Sequence, residues 1–203
     1  MGTQLSEKET NAEGLFDTDT VFNRLYPQFI RKHDGKHWTP LYVVRKAVDF
    51  LAADNGMRIL DIGSGVGKFC LGAAYYKPDA FYVGIEQRKY LTQLAENART
   101  ALKLDNVSFI EGNFTQLDFR NYDHFYFFNA FYENLFGTEK IDHSIDYSTA
   151  LFDYYNHYLY TQLELKPAGT KLATFHSLEY EVPPSYHVVG SEFDDLLRFW
   201  IKI

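Results

Sequence analysis

Between residues 61 and 68 the chain reads Asp61-Ile62-Gly63-Ser64-Gly65-Val66-Gly67-Lys68, an acid and a base around three alternating glycines. Glycine lets a backbone turn tightly and lets a ligand lie against the main chain with no Cβ in the way. A P-loop needs one more residue between its glycines and a hydroxyl after its lysine, where this chain has Phe69. A dinucleotide loop needs G-x-G-x-x-G, and Lys68 stands where the third glycine belongs. Asp61 would also repel a pyrophosphate. A ligand carrying an ammonium and a sulfonium, such as S-adenosyl-L-methionine, makes the opposite demand, because Asp61 attracts it directly or through a water. Lys68 is then available to neutralise the methionine carboxylate or to pair with Asp61. Glu86 lies 25 residues beyond Asp61, where a carboxylate can accept both hydroxyls of a ribose.

These residues need elements to hold them. Met57–Ile62 is a short apolar run ending in the glycines, hence a buried strand, and Phe81–Glu86 is the next. Val107–Ile110, Phe125–Phe128 and Lys171–Phe175 follow, with Tyr186–Val189 and Leu196–Ile203 as a terminal antiparallel pair. Helices are predicted from Thr18 to about Phe29, capped by Asp17 or Thr18, and from a Thr39-Pro40 cap to about Asn55. Further helices cover 69–76, 87–104 and 147–163, and the charged, His-rich stretch 31–37 reads as a loop. Strands alternating with helices give an α/β fold with a largely parallel sheet in one domain, residues 16–203, after a flexible tail at 1–15. Residues 18–54 form a helical segment ahead of the first strand.

Composition narrows the partners. The 203 residues carry 27 acidic and 20 basic side chains, a net charge of -7, which gives no strong nucleic-acid signature. The single Cys excludes an internal disulfide, and Cys70 is expected to be buried and inert. No apolar run reaches the ~20 residues of a membrane-spanning helix, and no signal-peptide pattern opens the chain, so a cytoplasmic protein is expected. Met1-Gly2-Thr3-Gln4-Leu5-Ser6 fits an N-myristoylation pattern and reads as a chance match, because no polybasic segment follows it. The seven His show no metal-ligand spacing: His33 and His37 stand four apart in a loop ahead of a helix, so no metal is expected.

The glycine loop, Gly84-Ile85-Glu86, Glu111-Gly112-Asn113-Phe114 and Phe128-Asn129-Ala130-Phe131-Tyr132 together resemble the class I S-adenosylmethionine-dependent methyltransferases. Within that class the motifs look most like the disruptor-of-telomeric-silencing (non-SET) histone lysine methyltransferases and their bacterial look-alikes. The resemblance implies a seven-stranded sheet in the order 3-2-1-4-5-7-6, with the last strand antiparallel beside the fifth, and a helical lid at about residues 18–54. It implies that the cofactor is held by Thr39, Asp61, Gly63, Ser64, Gly65, Gly67, Lys68, Glu86, Gln87, Asn113, Phe114 and Asn129. In related enzymes an Asp at position 113 accepts from the adenine amino group, and Asn113 retains an oxygen for this.

At the end of the fourth strand, amine-methylating relatives place Asn/Asp-Pro-Pro-Tyr/Phe; this chain keeps Asn129 and the aromatics but lacks both prolines. Asn129 and Tyr132 are therefore the catalytic candidates, acting on an unidentified acceptor, an amine among the possibilities. Methyl transfer from a sulfonium is a direct displacement that requires alignment and a deprotonated nucleophile. Glu133 is the nearest candidate base, but an exposed helix-start carboxylate is the better reading of it. Phe131, Tyr132 and Phe136 lie beyond the strand and are expected to wall the acceptor pocket. Two other functions compete: a non-catalytic cofactor-binding or partner-binding module of the same fold, and aminopropyl transfer, for which no Asp pair is placed to grip a polyamine.

Overall fold

The computed structural model describes residues 14–203, and the myristoylation-like Met1–Ser6 lies outside them. Four short helical turns lead in: α1 (Asp19–Phe22), a 3-10 turn Asn23–Leu25, α2 (Gln28–Arg31) and α3 (Asp34–His37). The single helix expected from Thr18 is thus broken, since Pro27 removes an amide donor, although Thr18 caps α1 by accepting from Val21 N at 3.3 Å. The stretch expected as a loop contains α3.

Helix α4 (Leu41–Leu51) follows, then β1 (Arg58–Ile62), α5 (Lys68–Tyr76), β2 (Phe81–Glu86), α6 (Lys89–Leu102), β3 (Val107–Glu111) and β4 (His124–Phe128). A segment of about twenty residues, regular only in a 3-10 turn at Tyr132–Asn134, precedes α7 (Thr149–Glu164), β5 (Lys171–Phe175), β6 (Tyr186–Glu192) and β7 (Leu197–Lys202). So long an irregular stretch in a compact domain is the kind of segment that carries function.

The sheet order is β3-β2-β1-β4-β5-β7-β6, as the motifs imply. Strands β1 to β5 pair in parallel, while β7 runs antiparallel to both neighbours and lies inside the sheet, with β6 at the edge. Alternation along each strand divides the core. Ile59 and Tyr126 join the cluster under α4, α5 and α6, whereas Leu60, Ile62, Phe125 and Phe127 join the one under α7. All parallel strands end on the same edge, which is where Asp61, Glu86 and Asn129 meet.

The cap of α4 differs from expectation. Pro40 occupies the cap position and makes no side-chain bond, and the Leu41 N–H donates to Asp19 Oδ1 at 2.9 Å. Thr39 instead sits buried with its hydroxyl 3.0 Å from that of Tyr126. Pro40 has no N–H of its own to satisfy, so a carboxylate from α1 serves the first free donor.

Candidate active site

The glycine loop leaves β1 and folds back over β2. The Gly63 and Ser64 amides both donate to Ile85 O, at 3.0 and 2.9 Å. Gly63 has φ +78°, and a Cβ there would come 2.4 Å from the Ala130 Cβ, so no other residue fits. Gly65 (φ +54°) has nothing within 4 Å of its Cβ position: its open side faces the cleft rather than protein. Its amide donates to Glu86 Oε2 at 3.1 Å.

Glu86 closes β2, is 7% exposed, and lines the same cleft as Gly63, Gly65, Gln87, Phe114, Asn129 and Tyr132. Its other oxygen accepts from Arg88 N at 2.9 Å. Burial raises the Glu86 carboxyl above its ordinary range, with Arg88 and the two amides opposing. Asp61, 3% exposed, lies in a smaller inner cavity shared with Thr39, Ser64, Lys68 and Phe128. Ser64 Oγ is buried there without a partner.

Burial pushes the Asp61 carboxyl up to about 7; the Cys70 thiol, 3.5 Å away, opposes the shift and the Glu86 charge adds to it. An unfolded Asp ionises near 3.9. From about pH 4 to 7 the unfolded chain therefore sheds a proton that the folded chain keeps, and stability falls as pH rises through that window. Asp61→Asn is expected to raise the melting temperature of cofactor-free protein at about pH 8, and by much less at about pH 5. An equal shift at both would remove Asp61 titration as the cause. Burial likewise raises the Cys70 thiol well above its ordinary value, in keeping with an inert cysteine.

Several expected contacts fall elsewhere. Lys68 does not pair with Asp61; its ammonium lies 2.5 Å from Asp19 Oδ1 and donates to Asn23 Oδ1 at 3.0 Å. With Tyr26 OH donating to Val66 O at 2.9 Å, these bonds latch the N-terminal turns onto the glycine loop. Asn113 does not present its oxygen to the cleft. It caps the 3-10 turn Phe114–Gln116, accepting from Thr115 N at 3.0 Å and Thr115 Oγ1 at 2.9 Å, while its amide donates to Tyr155 OH and to Gln87. A short polar side chain bonding two residues ahead is the locally cheapest use of Asn after Gly112.

Phe114 does wall the cleft, stacked on Phe131 with centroids 5.0 Å apart. Phe131 and Tyr132 line it as expected, but Phe136 is fully exposed and does not. Burial pushes the Tyr132 phenol up to about 12, with the Glu181 charge adding to the rise.

Asn129 turns the chain off β4 in the left-handed region (φ +43°), which Asn tolerates better than most residues. Its side chain caps nothing: the turn at Tyr132–Asn134 has no side-chain cap, and Asn129 Oδ1 is buried in the cleft without a partner. Glu133 is neither a free base nor an exposed helix-start acid. It accepts from Arg88 Nη2 at 2.7 Å and from Ile141 N at 2.6 Å. Arg88, 5% exposed and not singled out by its sequence context, also reaches Asp142 (3.3 Å), Glu86 (3.5 Å) and Tyr147 OH (2.5 Å). Its one sequence signal is a cation two residues after the ribose-type acid.

A family profile described as "Methyltransferase domain" matches residues 53–156, from the end of α4 into α7. The chain belongs to this methyltransferase family. With the class I strand order, this makes S-adenosyl-L-methionine its cofactor. The orphaned Asn129 and Ser64 oxygens, the open face of Gly65 and the Glu86 carboxylate fit that ligand. The histone-directed branch that the motifs resemble is not part of this finding.

The chain is 46% identical over 54 residues to tRNA (guanine-N(7)-)-methyltransferase of Synechococcus sp. (strain JA-3-3Ab), a match covering 27% of this chain and 23% of the relative. A similar match to the Prochlorococcus marinus (strain MIT 9303) protein of that name reaches 47% over 51 residues, covering 25% of this chain and 22% of that one. The chain thus spans about a quarter of these curated relatives' length. Among solved structures it resembles TrmN from Thermus thermophilus (TM-score 0.60, 18% identity, 86% of this chain and 52% of that one). It also resembles magnesium protoporphyrin IX methyltransferase from Synechocystis PCC 6803 (TM-score 0.57, 16% identity, 100% of both chains). At these identities the likeness shows the fold.

Among the described residues no helix is long and apolar enough to cross a membrane.

Proposed function

We propose that this protein transfers the methyl group of S-adenosyl-L-methionine to a ring nitrogen of a planar acceptor, with an RNA base as the acceptor class to test first. The observation that carries the reading is Asn129. A buried amide oxygen with no partner costs ~1–3 kcal/mol, and this one lies at the end of β4 in the cleft that holds Gly63, Gly65 and Glu86. A bound group that donates a hydrogen bond relieves that cost. Phe131 and Tyr132, which line the cleft with Asn129, suit a flat partner better than a flexible amine. The names of the curated relatives, which specify a guanine nitrogen in tRNA, support a nucleobase over the amine first considered.

The cofactor supplies an electrophilic methyl group on sulfur, and the protein's share is placement. Glu86 accepts from the ribose hydroxyls while Gly65 N–H holds the carboxylate in position. Asp61 and Ser64 face the methionine end from the inner cavity, and Phe114 walls the adenine. Asn129 orients the nucleophile, and Tyr132, kept neutral by burial, packs beside it as a donor. Residues 18–54 act as the lid, latched to the glycine loop through Asp19 and Tyr26 and to β4 through Thr39.

The decisive test incubates the protein with tritium-methyl S-adenosyl-L-methionine and separated RNA, protein and small-molecule fractions of a lysate. Label in RNA, recovered as a methylated base, supports the reading. Label confined to protein would return the acceptor to a side-chain amine, and label in no fraction would favour a non-catalytic module.

Glu86→Gln preserves volume and removes charge. It is expected to weaken S-adenosylhomocysteine binding by ~1.5–3 kcal/mol, about 10- to 150-fold by calorimetry, through loss of charge-assisted bonds. Wild-type affinity in that variant would displace the ribose from β2.

A further inference from the structure

The proposed methyl transfer makes no use of one cluster at the rim of the cleft. His33 precedes α3 and His37 ends it, so one short turn brings the two rings together, centroids 5.8 Å apart at 69°. Glu139 arrives from the irregular segment after β4. One ligand atom from each of the three lies within 4.8 Å of the others, the one such group of three or more among the described residues.

Two further observations mark it as more than a chance cluster. His33 is 7% exposed, and its Nδ1 is buried with no hydrogen-bond partner; His37 Nε2 is buried and unpartnered as well. Buried polar nitrogens left orphaned in this way call for a missing partner.

We propose that His33, His37 and Glu139 bind a divalent transition ion of the zinc class, which clasps α3 to the segment after β4. Two imidazoles and a carboxylate with a fourth position open is a recurrent zinc donor set. Zinc ligands at about 2.0–2.2 Å lie about 3.3 Å from one another, so each pair of ligand atoms here needs to close by no more than about 1.5 Å. The competing partner of Glu139 is the exposed Lys36 ammonium, an ion pair that a coordinating cation displaces readily. His37 and Glu139 also line the main cleft with Asn129 and Tyr132, so the ion ties the mouth of the cleft shut on the side of the N-terminal turns. The spacing of His33 and His37 thus has a use that only the third ligand, more than a hundred residues away, reveals.

The test uses untagged full-length protein freed of metal with a chelator and titrated with zinc by calorimetry. Cobalt(II) serves as an optical probe of tetrahedral coordination. One equivalent of zinc is expected to bind, and cobalt to give the intense visible bands of a four-coordinate site. His37→Gln and Glu139→Gln should each weaken zinc at least 100-fold. Lys36→Gln, which frees Glu139, should bind as tightly as wild type or tighter, and His157→Gln, at an exposed histidine elsewhere, should leave binding unchanged. Folding of each variant is checked by circular dichroism and by retained S-adenosylhomocysteine binding. No stoichiometric zinc in wild type, or wild-type affinity in the His37 and Glu139 variants, overturns the site. Neither result bears on methyl transfer, which is read by label alone.

Discussion

Asn129→Gly is expected to lower methyl transfer by about 100-fold, the scale set by misplacing a reacting group, while S-adenosylhomocysteine affinity stays within about tenfold. Glycine is the informative replacement because Asn129 adopts φ +43°. Alanine would add ~1–2 kcal/mol of left-handed backbone strain and confuse stability with chemistry. Glycine removes the amide and relaxes the backbone together, so the variant should fold as well as wild type. Asn129→Asp keeps an oxygen at the same place and should retain more activity than glycine if the role is to accept a hydrogen bond from an N–H of the acceptor base. A capping role would show as lost stability with intact turnover, but no side chain caps the turn that follows. Single-turnover rates on whichever acceptor takes label, beside calorimetry with S-adenosylhomocysteine, separate these outcomes. Full activity in the glycine variant would shift attention to Tyr132, the next polar group on the cleft wall.

Removing the cation at the centre of the cleft should cost the most stability. Arg88 is 5% exposed and satisfies Glu133, Asp142 and Glu86 at 2.7, 3.3 and 3.5 Å. Breaking a buried pair from one side leaves charge uncompensated, typically at a cost of ~3–5 kcal/mol. Arg88→Met, similar in bulk, is therefore expected to lose about that much in urea unfolding, with the urea midpoint falling and the slope unchanged. Glu133→Gln in the same chain should recover part of the loss, because it removes one of the stranded carboxylates. A loss below about 1 kcal/mol would mean that water already screens the cluster. The cluster also explains how a segment with little regular structure holds its place: Glu133 and Asp142 are fastened to the end of β2 through one guanidinium.

The positions of the strands along the chain, the glycine loop and the acids at the ends of β1 and β2 were legible in the sequence. Each rests on a local pattern: a short apolar run ending in glycines, a period of two or 3.6, and an acid at a strand end. Asn129 could be picked out for the same reason, because a polar residue directly after four aromatics in a row marks a strand end. Contacts between distant segments were not legible. Nothing near Lys68 indicates that Asp19 will take its charge, and nothing near Pro40 indicates that the same carboxylate will serve the first amide of α4. The motif points Asn113 at the adenine, yet its oxygen bonds to the next turn, since a bond two residues away forms at little entropic cost. Spacing alone links His33 and His37 to no ligand, because Glu139 enters only when the segment after β4 folds back over α3. Local periodicity and strand-end chemistry are written in neighbouring residues, and so the sequence by itself determined the fold class, the cofactor loop and the edge where the site lies. Which side chains neutralise one another there was decided by tertiary packing, because a buried charge takes its partner from whatever chain folding brings within reach.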